Sequence, residues 1–174
     1  TYLANATAQG IESTSKFSFD VASAFERGTM VSGELRIPES KRERLPAVVI
    51  VNSSPGFDGR GTSYAESLNQ AGIATLEIDM LQGRGIPASP RDNMPHAYQT
   101  LQHLARHSRI DETRIGIMGF SWGAIISLLT SSETLARQYG GGNLRFAAHL
   151  GMYPQCGVLR TVLSGKDKSL EAWI

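Results

Sequence analysis

RIGIMGFSWGAIISLL, residues Arg114 to Leu129, sets Ser121 inside a Gly-x-Ser-x-Gly pentapeptide, between a run that reads as a buried strand and one that reads as a helix. This is the residue pattern of a nucleophile elbow. Gly119 and Gly123 flank the serine because a strand reversing sharply into a helix packs its backbone too tightly for side chains there. The context carries the reading more than the pentapeptide does: Ala124, Ile125, Ile126, Leu128 and Leu129 continue as a helix. In such a turn the backbone N–H of Trp122 opens the helix and faces the oxyanion that develops when Ser121 attacks a carbonyl. A serine hydroxyl needs a base to take its proton, usually a histidine oriented by a carboxylate.

Working outward, Ala47 to Val51, Ile73 to Ile78 and Arg114 to Met118 are short apolar runs of the kind buried on both faces of a parallel sheet. Ser63 to Ala71 and Pro95 to His107 carry apolar residues at helical spacing between them, and a fourth strand, Arg145 to Met152, follows the Gly140 to Gly142 stop. Phe17 to Phe25 and Thr29 to Ile37 alternate apolar and polar residues around Glu26, Arg27 and Gly28, an antiparallel hairpin. The pattern predicts an α/β fold: a mainly parallel sheet flanked by helices, with the hairpin at one edge. Residues 1–15 are small and polar and predict a loose N-terminal arm.

With 174 residues and 41% hydrophobic composition, one domain is expected. Lysine plus arginine number 17 against 16 acids, with no block of like charge, which argues against nucleic-acid or anionic-membrane partners. One cysteine, Cys156, excludes an internal disulfide framework, and no apolar run is long enough to span a bilayer. A soluble protein is expected. The chain begins at Thr1, as it would after removal of a signal peptide, so the compartment stays open between cytoplasmic and exported.

A second oxyanion donor is expected from the loop after the first central strand, Asn52 to Gly61. Pro55 has no N–H, so Ser54 is the candidate. The glycines of this loop, with Asp79 about twenty residues on, imitate a dinucleotide-binding unit, but their order is G-x-x-G-x-G and the connection is too long for a tight phosphate turn. Asp79 reads as a strand-end residue tying down the loop after it. His103 and His107, four apart with His96 upstream, lack the glutamate a zinc protease carries and read as a solvated helix face, so neither metal nor cofactor is expected. Arg84, beyond Asp79, lies where it could bind a substrate carboxylate or pair with a nearby acid. His149 is the one histidine after Ser121, and its apolar flanks read as a hydrogen-bonded core residue instead of a base. Glu133 lies at or past the end of the elbow helix, pointing away, and Asp167 could end a short strand but has no histidine after it. Cys156 reads as a buried small thiol and Trp173 as a packing aromatic.

With these residues in place, the chain resembles the dienelactone hydrolase family of α/β-hydrolases through AVVIVNSSPGFDGRG, AGIATLEIDMLQGRG, IDETRIGIMGFSWGA and RFAAHLGMYPQC, together about Pro46 to Cys156. The resemblance implies an eight-stranded fold whose nucleophile cleaves small esters or lactones without metal or cofactor. Ser121 matches the nucleophile, Trp122 and Ser54 the oxyanion donors, and Arg84 loosely a carboxylate-binding arginine. Asn52 and Ser53 stand where many relatives have His-Gly, and serine replaces the cysteine of the founding members, so the lactone substrate does not transfer. After YPQC the family continues through two more strands bearing the acid and the histidine; Gly157 to Ile174 is then a connecting loop of a C-terminally truncated domain or a degenerate seventh strand. A sheet cut at that point leaves a strand edge through which a second copy is expected to pair. The implied activity is that of a serine esterase with its triad completed outside these residues. The competing expectation is a non-catalytic binding module that has lost its triad.

Overall fold

A computed structural model describes residues 10–21, 29–81 and 89–164. Among these residues, six strands form one mixed sheet: β1 (Ile11–Val21), β2 (Thr29–Pro38), β3 (Leu45–Val51), β4 (Ala74–Asp79), β5 (Ile110–Phe120) and β6 (Ala148–Met152), in the order β1-β2-β4-β3-β5-β6. The hairpin pairs antiparallel, from Val21 opposite Thr29 to Ile11 opposite Pro38, and β2 pairs antiparallel with β4. From β4 to β6 every pairing is parallel. The strand β1 starts earlier than alternation predicts and takes in residues 11–15, which composition assigned to a loose arm; pairing with β2 overrides the polar composition. Residues 1–9 of that arm and the hairpin tip, 22–28, lie outside the described residues.

The described helices connect and cover the sheet: α1 (Arg60–Gln70), α2 (Met94–Ala105), α3 (Trp122–Leu129), α4 (Glu133–Tyr139) and α5 (Cys156–Leu163). The period-two pattern of the strands sorts side chains between two faces. Val49, Val51, Leu76, Ile78, Ile115 and Ile117 join one core cluster with Leu101 and Leu104 of α2 and Ile125 and Ile126 of α3. Ile50, Met118 and Phe120 point the other way and meet Ala65 and Leu68 of α1. This smaller cluster leaves α1 few apolar anchors. On the same face of β4 lie two buried polar residues, Thr75 and Glu77, each bonded to α1.

The C-terminal segment departs from expectation. Residues 156–163 form a helix, where a loop or a strand was predicted, because Val158, Leu159 and Val162 recur at helical spacing and pack on the core. Cys156, expected to be buried, is exposed at the first position of that helix.

Chain order fixes where a site can form. The chain leaves β3 through α1 to β4 on one side and returns through α2 to β5 on the other, so strand order reverses at β3. In open α/β sheets the crevice at the carboxyl ends of such neighbouring strands is where ligands bind. Val51 pairs with Gly119, which brings the loop after β3 and the turn after β5 side by side.

Candidate active site

Ser121 occupies the single-residue turn between β5 and α3, with φ 51° and ψ −109°. For a residue with a Cβ this is a costly conformation, held only where surrounding structure forces it. The forcing structure is backbone. A Cβ on Gly119 would lie 2.1 Å from the carbonyl oxygen of Gly123, and one on Gly123 would lie 2.3 Å from that of Val51 and 2.7 Å from that of Asn52. Only glycine allows β5, α3 and the end of β3 to approach this closely. Ser121 N–H donates to Met152 O at 3.0 Å, tying the turn to β6, and Ser121 O accepts from Ala124 and Ile125 to start the helix. Trp122 begins α3, so its N–H has no acceptor within the helix. Its indole is buried and donates to Asn93 Oδ1 at 2.9 Å, fixing the turn against the segment that precedes α2.

The far end of α3 is anchored independently. Ser127 Oγ donates to Ile117 O and Leu150 O, both at 3.1 Å, across β5 and β6. Tyr98 donates to Thr130 O at 3.0 Å. His149 is half-buried on β6, its Nδ1 at 3.0 Å from Thr130 Oγ1 and 3.2 Å from Ser127 O. These partners lie along α3 from Ser121, roughly 9 Å away for Ser127 and about 13 Å for Thr130 at 1.5 Å per residue. The geometry therefore places His149 as a hydrogen-bonded structural residue and takes it away from the serine. Glu133 pairs with Arg137 and Arg145 on the outer side of the molecule.

The loop after β3 is built differently. Gly56 N–H donates to Ser53 O at 2.9 Å, so Ser54 and Pro55 form the tip of a tight turn, and Ser54 is exposed beside the carboxyl end of the sheet. Gly56 has φ 81°, and a Cβ there would meet Asp79 Oδ2 at 2.8 Å. Asp79 itself accepts from Leu81 N at 2.9 Å, tying down the chain beyond β4 as its position suggested. Asp58 accepts from Arg60 N at 3.1 Å and Arg60 Nε at 2.9 Å, and the Arg60 side-chain bond holds its carboxyl below the usual carboxylate range. Arg60 also donates to Ser53 Oγ and to the hydroxyl of Tyr153. Tyr153 follows β6 with φ 42° and is half exposed. Its ring completes an aromatic row with Phe120 and Tyr64, at centroid separations of 6.2 and 5.3 Å.

Sequence reading named Ser121, Trp122 and Ser54, and the structure gathers all three at the carboxyl ends of β3 and β5. Arg84 and Asp167 lie outside the described residues. Arg60, Asp58 and Tyr153 were missed; Tyr153, like Ser121, is a non-glycine residue directly after a strand at positive φ, which no sequence pattern announces. Of the three histidines of the α2 region, His96 departs from a solvated face because it is buried, whereas His103 is exposed as expected, with its ring stacked on Phe17 at 5.0 Å.

No protein-family profile and no curated protein matches the chain. Solved structures do. Esterase Est22 superposes with a TM-score of 0.62 at 15% identity, covering 98% of this chain and 59% of that one. The α/β hydrolase GrgF from Penicillium sp. sh18 gives 0.58 at 17% identity, over 91% of this chain and 56% of that one. The fold is that of the α/β-hydrolases. Est1E from Butyrivibrio proteoclasticus gives 0.53 at 18% identity, over 70% and 47% of the two chains. This chain thus spans about half the length of these solved structures.

Proposed function

We propose that the chain is the nucleophile-bearing part of a serine hydrolase that cleaves small carboxylic esters or lactones through an acyl-enzyme. The observation that carries this reading is the conformation of Ser121, a non-glycine residue at φ 51° between a parallel strand and a helix N-terminus, at the switch point of the sheet. In the proposed reaction Ser121 Oγ attacks the ester carbonyl, and the Trp122 and Ser54 N–H groups stabilise the oxyanion. The alcohol leaves with a proton, and water then releases the acid. The proton of Ser121 must pass to a histidine, and His149 is engaged elsewhere. The acid and histidine of the triad are accordingly proposed to come from outside these 174 residues. Likeness to the dienelactone hydrolase type, and a role for Arg84 in holding a substrate carboxylate, form part of the same proposal. The half-exposed Leu150 on β6, whose described pairing is with β5 alone, is the edge proposed for self-association.

A second reading, a binding module of the same fold without turnover, draws on the engagement of His149 at the wrong end of α3. Hydrolysis of p-nitrophenyl acetate by the full natural chain separates the two. Turnover with an initial burst, lost in Ser121→Ala, supports the enzyme; absence of turnover in the wild type supports the binding module.

A further inference from the structure

Glu77 stands in β4 between the buried apolar residues Leu76 and Ile78 and is only 1% exposed. A buried carboxylate persists only with partners that satisfy it. Two of its partners come from the two ends of one loop. Asn52, the first residue after β3, donates its Nδ2 to Glu77 Oε1 at 3.0 Å. Thr62, in the first turn of α1, donates its hydroxyl to Oε2 at 3.1 Å, and Arg36 of β2 reaches the same oxygen at 3.3 Å. Between Asn52 and Thr62 lies the whole loop that carries Ser54, Asp58 and Arg60. Gly61 shows how closely the loop is drawn down: a Cβ there would fall 2.3 Å from Glu77 Oε1 and 3.0 Å from Asn52 Oδ1.

We infer that Glu77 is a positioning residue, a single carboxylate that clamps both ends of the 52–61 loop and so sets the Ser54 N–H against the oxyanion formed at Ser121. The inference rests on the serine-hydrolase reading. Arg60 also ties this end of α1 to Ser53 and Tyr153, while the helix's apolar contacts in the smaller cluster, Ala65 and Leu68, lie further along. Oxyanion bonds act on charge that appears in the transition state, so a displaced donor lowers kcat and leaves KM nearly unchanged.

The test is steady-state hydrolysis of p-nitrophenyl acetate by the full natural chain, with melting temperatures measured alongside. Glu77→Gln keeps the volume but loses one of the two acceptor oxygens; kcat is expected to fall about 30-fold, less than the roughly 100- to 1000-fold seen when an oxyanion donor is removed outright, with KM inside about twofold. Thr62→Val, which releases only the α1 end, is expected to lower kcat about tenfold, and it decides the matter if Glu77→Gln does not fold. Thr75→Val is the control: Thr75 joins the same strand to the same helix at their other ends, through Asn69, so it lowers the melting temperature without changing kcat. Unchanged kcat in both Glu77→Gln and Thr62→Val, with Ser121→Ala inactive, would overturn this inference alone. So would an equal loss of kcat in Thr75→Val, which would mark general loosening. Undiminished turnover in Ser121→Ala would instead overturn the serine reading and this inference with it.

Discussion

The turn at Ser121 and the loop at 52–61 lie side by side over the ends of β5 and β3, yet they are held by opposite means. The turn is held by backbone crowding, with glycines at 119 and 123 in contact distance of carbonyl groups. The loop is held by a buried carboxylate below and an exposed ion pair above, Glu77 with Asn52 and Thr62, then Asp58 with Arg60. Crowding of backbone against backbone gives a turn that has one shape or none. Side-chain bonds give a loop whose position can be tuned.

The strongest way to break that contrast is Gly123→Ala. Its Cβ would press on two main-chain carbonyls that cannot move aside, and a loss of at least about 3 kcal/mol is expected in urea denaturation, or failure to fold. On the same side, Tyr98 anchors the far end of α3, and burial pushes its phenol up to about 12. The folded state therefore favours the neutral phenol. Its contribution is complete below pH 10 and is lost as pH rises towards 12, roughly 2 kcal/mol across that window, and Tyr98→Phe should flatten this alkaline limb in pH-dependent unfolding. The loop should answer more mildly. Gly59→Ala meets no atom within 4 Å but must adopt φ 86°, so about 1 kcal/mol is expected from backbone strain alone. Arg60→Ala is expected to have the smallest effect on stability, because its ion pair with Asp58 is exposed and screened by solvent. Since that pair lowers the Asp58 pKa, its small contribution is present above the ordinary carboxylate value and fades as pH falls through the lowered one; NMR titration of Asp58 in Arg60→Ala should show the value rising back.

The same contrast explains what the sequence discloses. Backbone crowding leaves a mark in the chain, because only glycine satisfies it, and so Gly119 and Gly123 make the turn legible from residue types alone. The central strands were legible for a similar reason, since burial on both faces demands runs such as AVVIV. The clamp was harder to see. Glu77 interrupts the apolar run IATLEID, which is itself a signal that a buried acid has partners, but those partners are 25 and 15 residues away and nothing local identifies them. Tyr153 and Arg60 meet only because β6 ends beside α1, 93 residues apart in sequence. His149 is hydrogen-bonded as expected but half-buried instead of in the core, because its apolar neighbours Ala148 and Leu150 are exposed. The helix of residues 156–163 was not legible, because its three apolar contacts emerge only once the core surface beneath it exists.

The central claim is that Ser121 is a nucleophile. Incubation of the full natural chain with a fluorophosphonate, followed by peptide mass spectrometry, tests it most directly. The account predicts one phosphonyl adduct, on the peptide containing Ser121 and absent from Ser121→Ala. An unlabelled Ser121 in folded wild-type protein, or an adduct that survives Ser121→Ala, would contradict it.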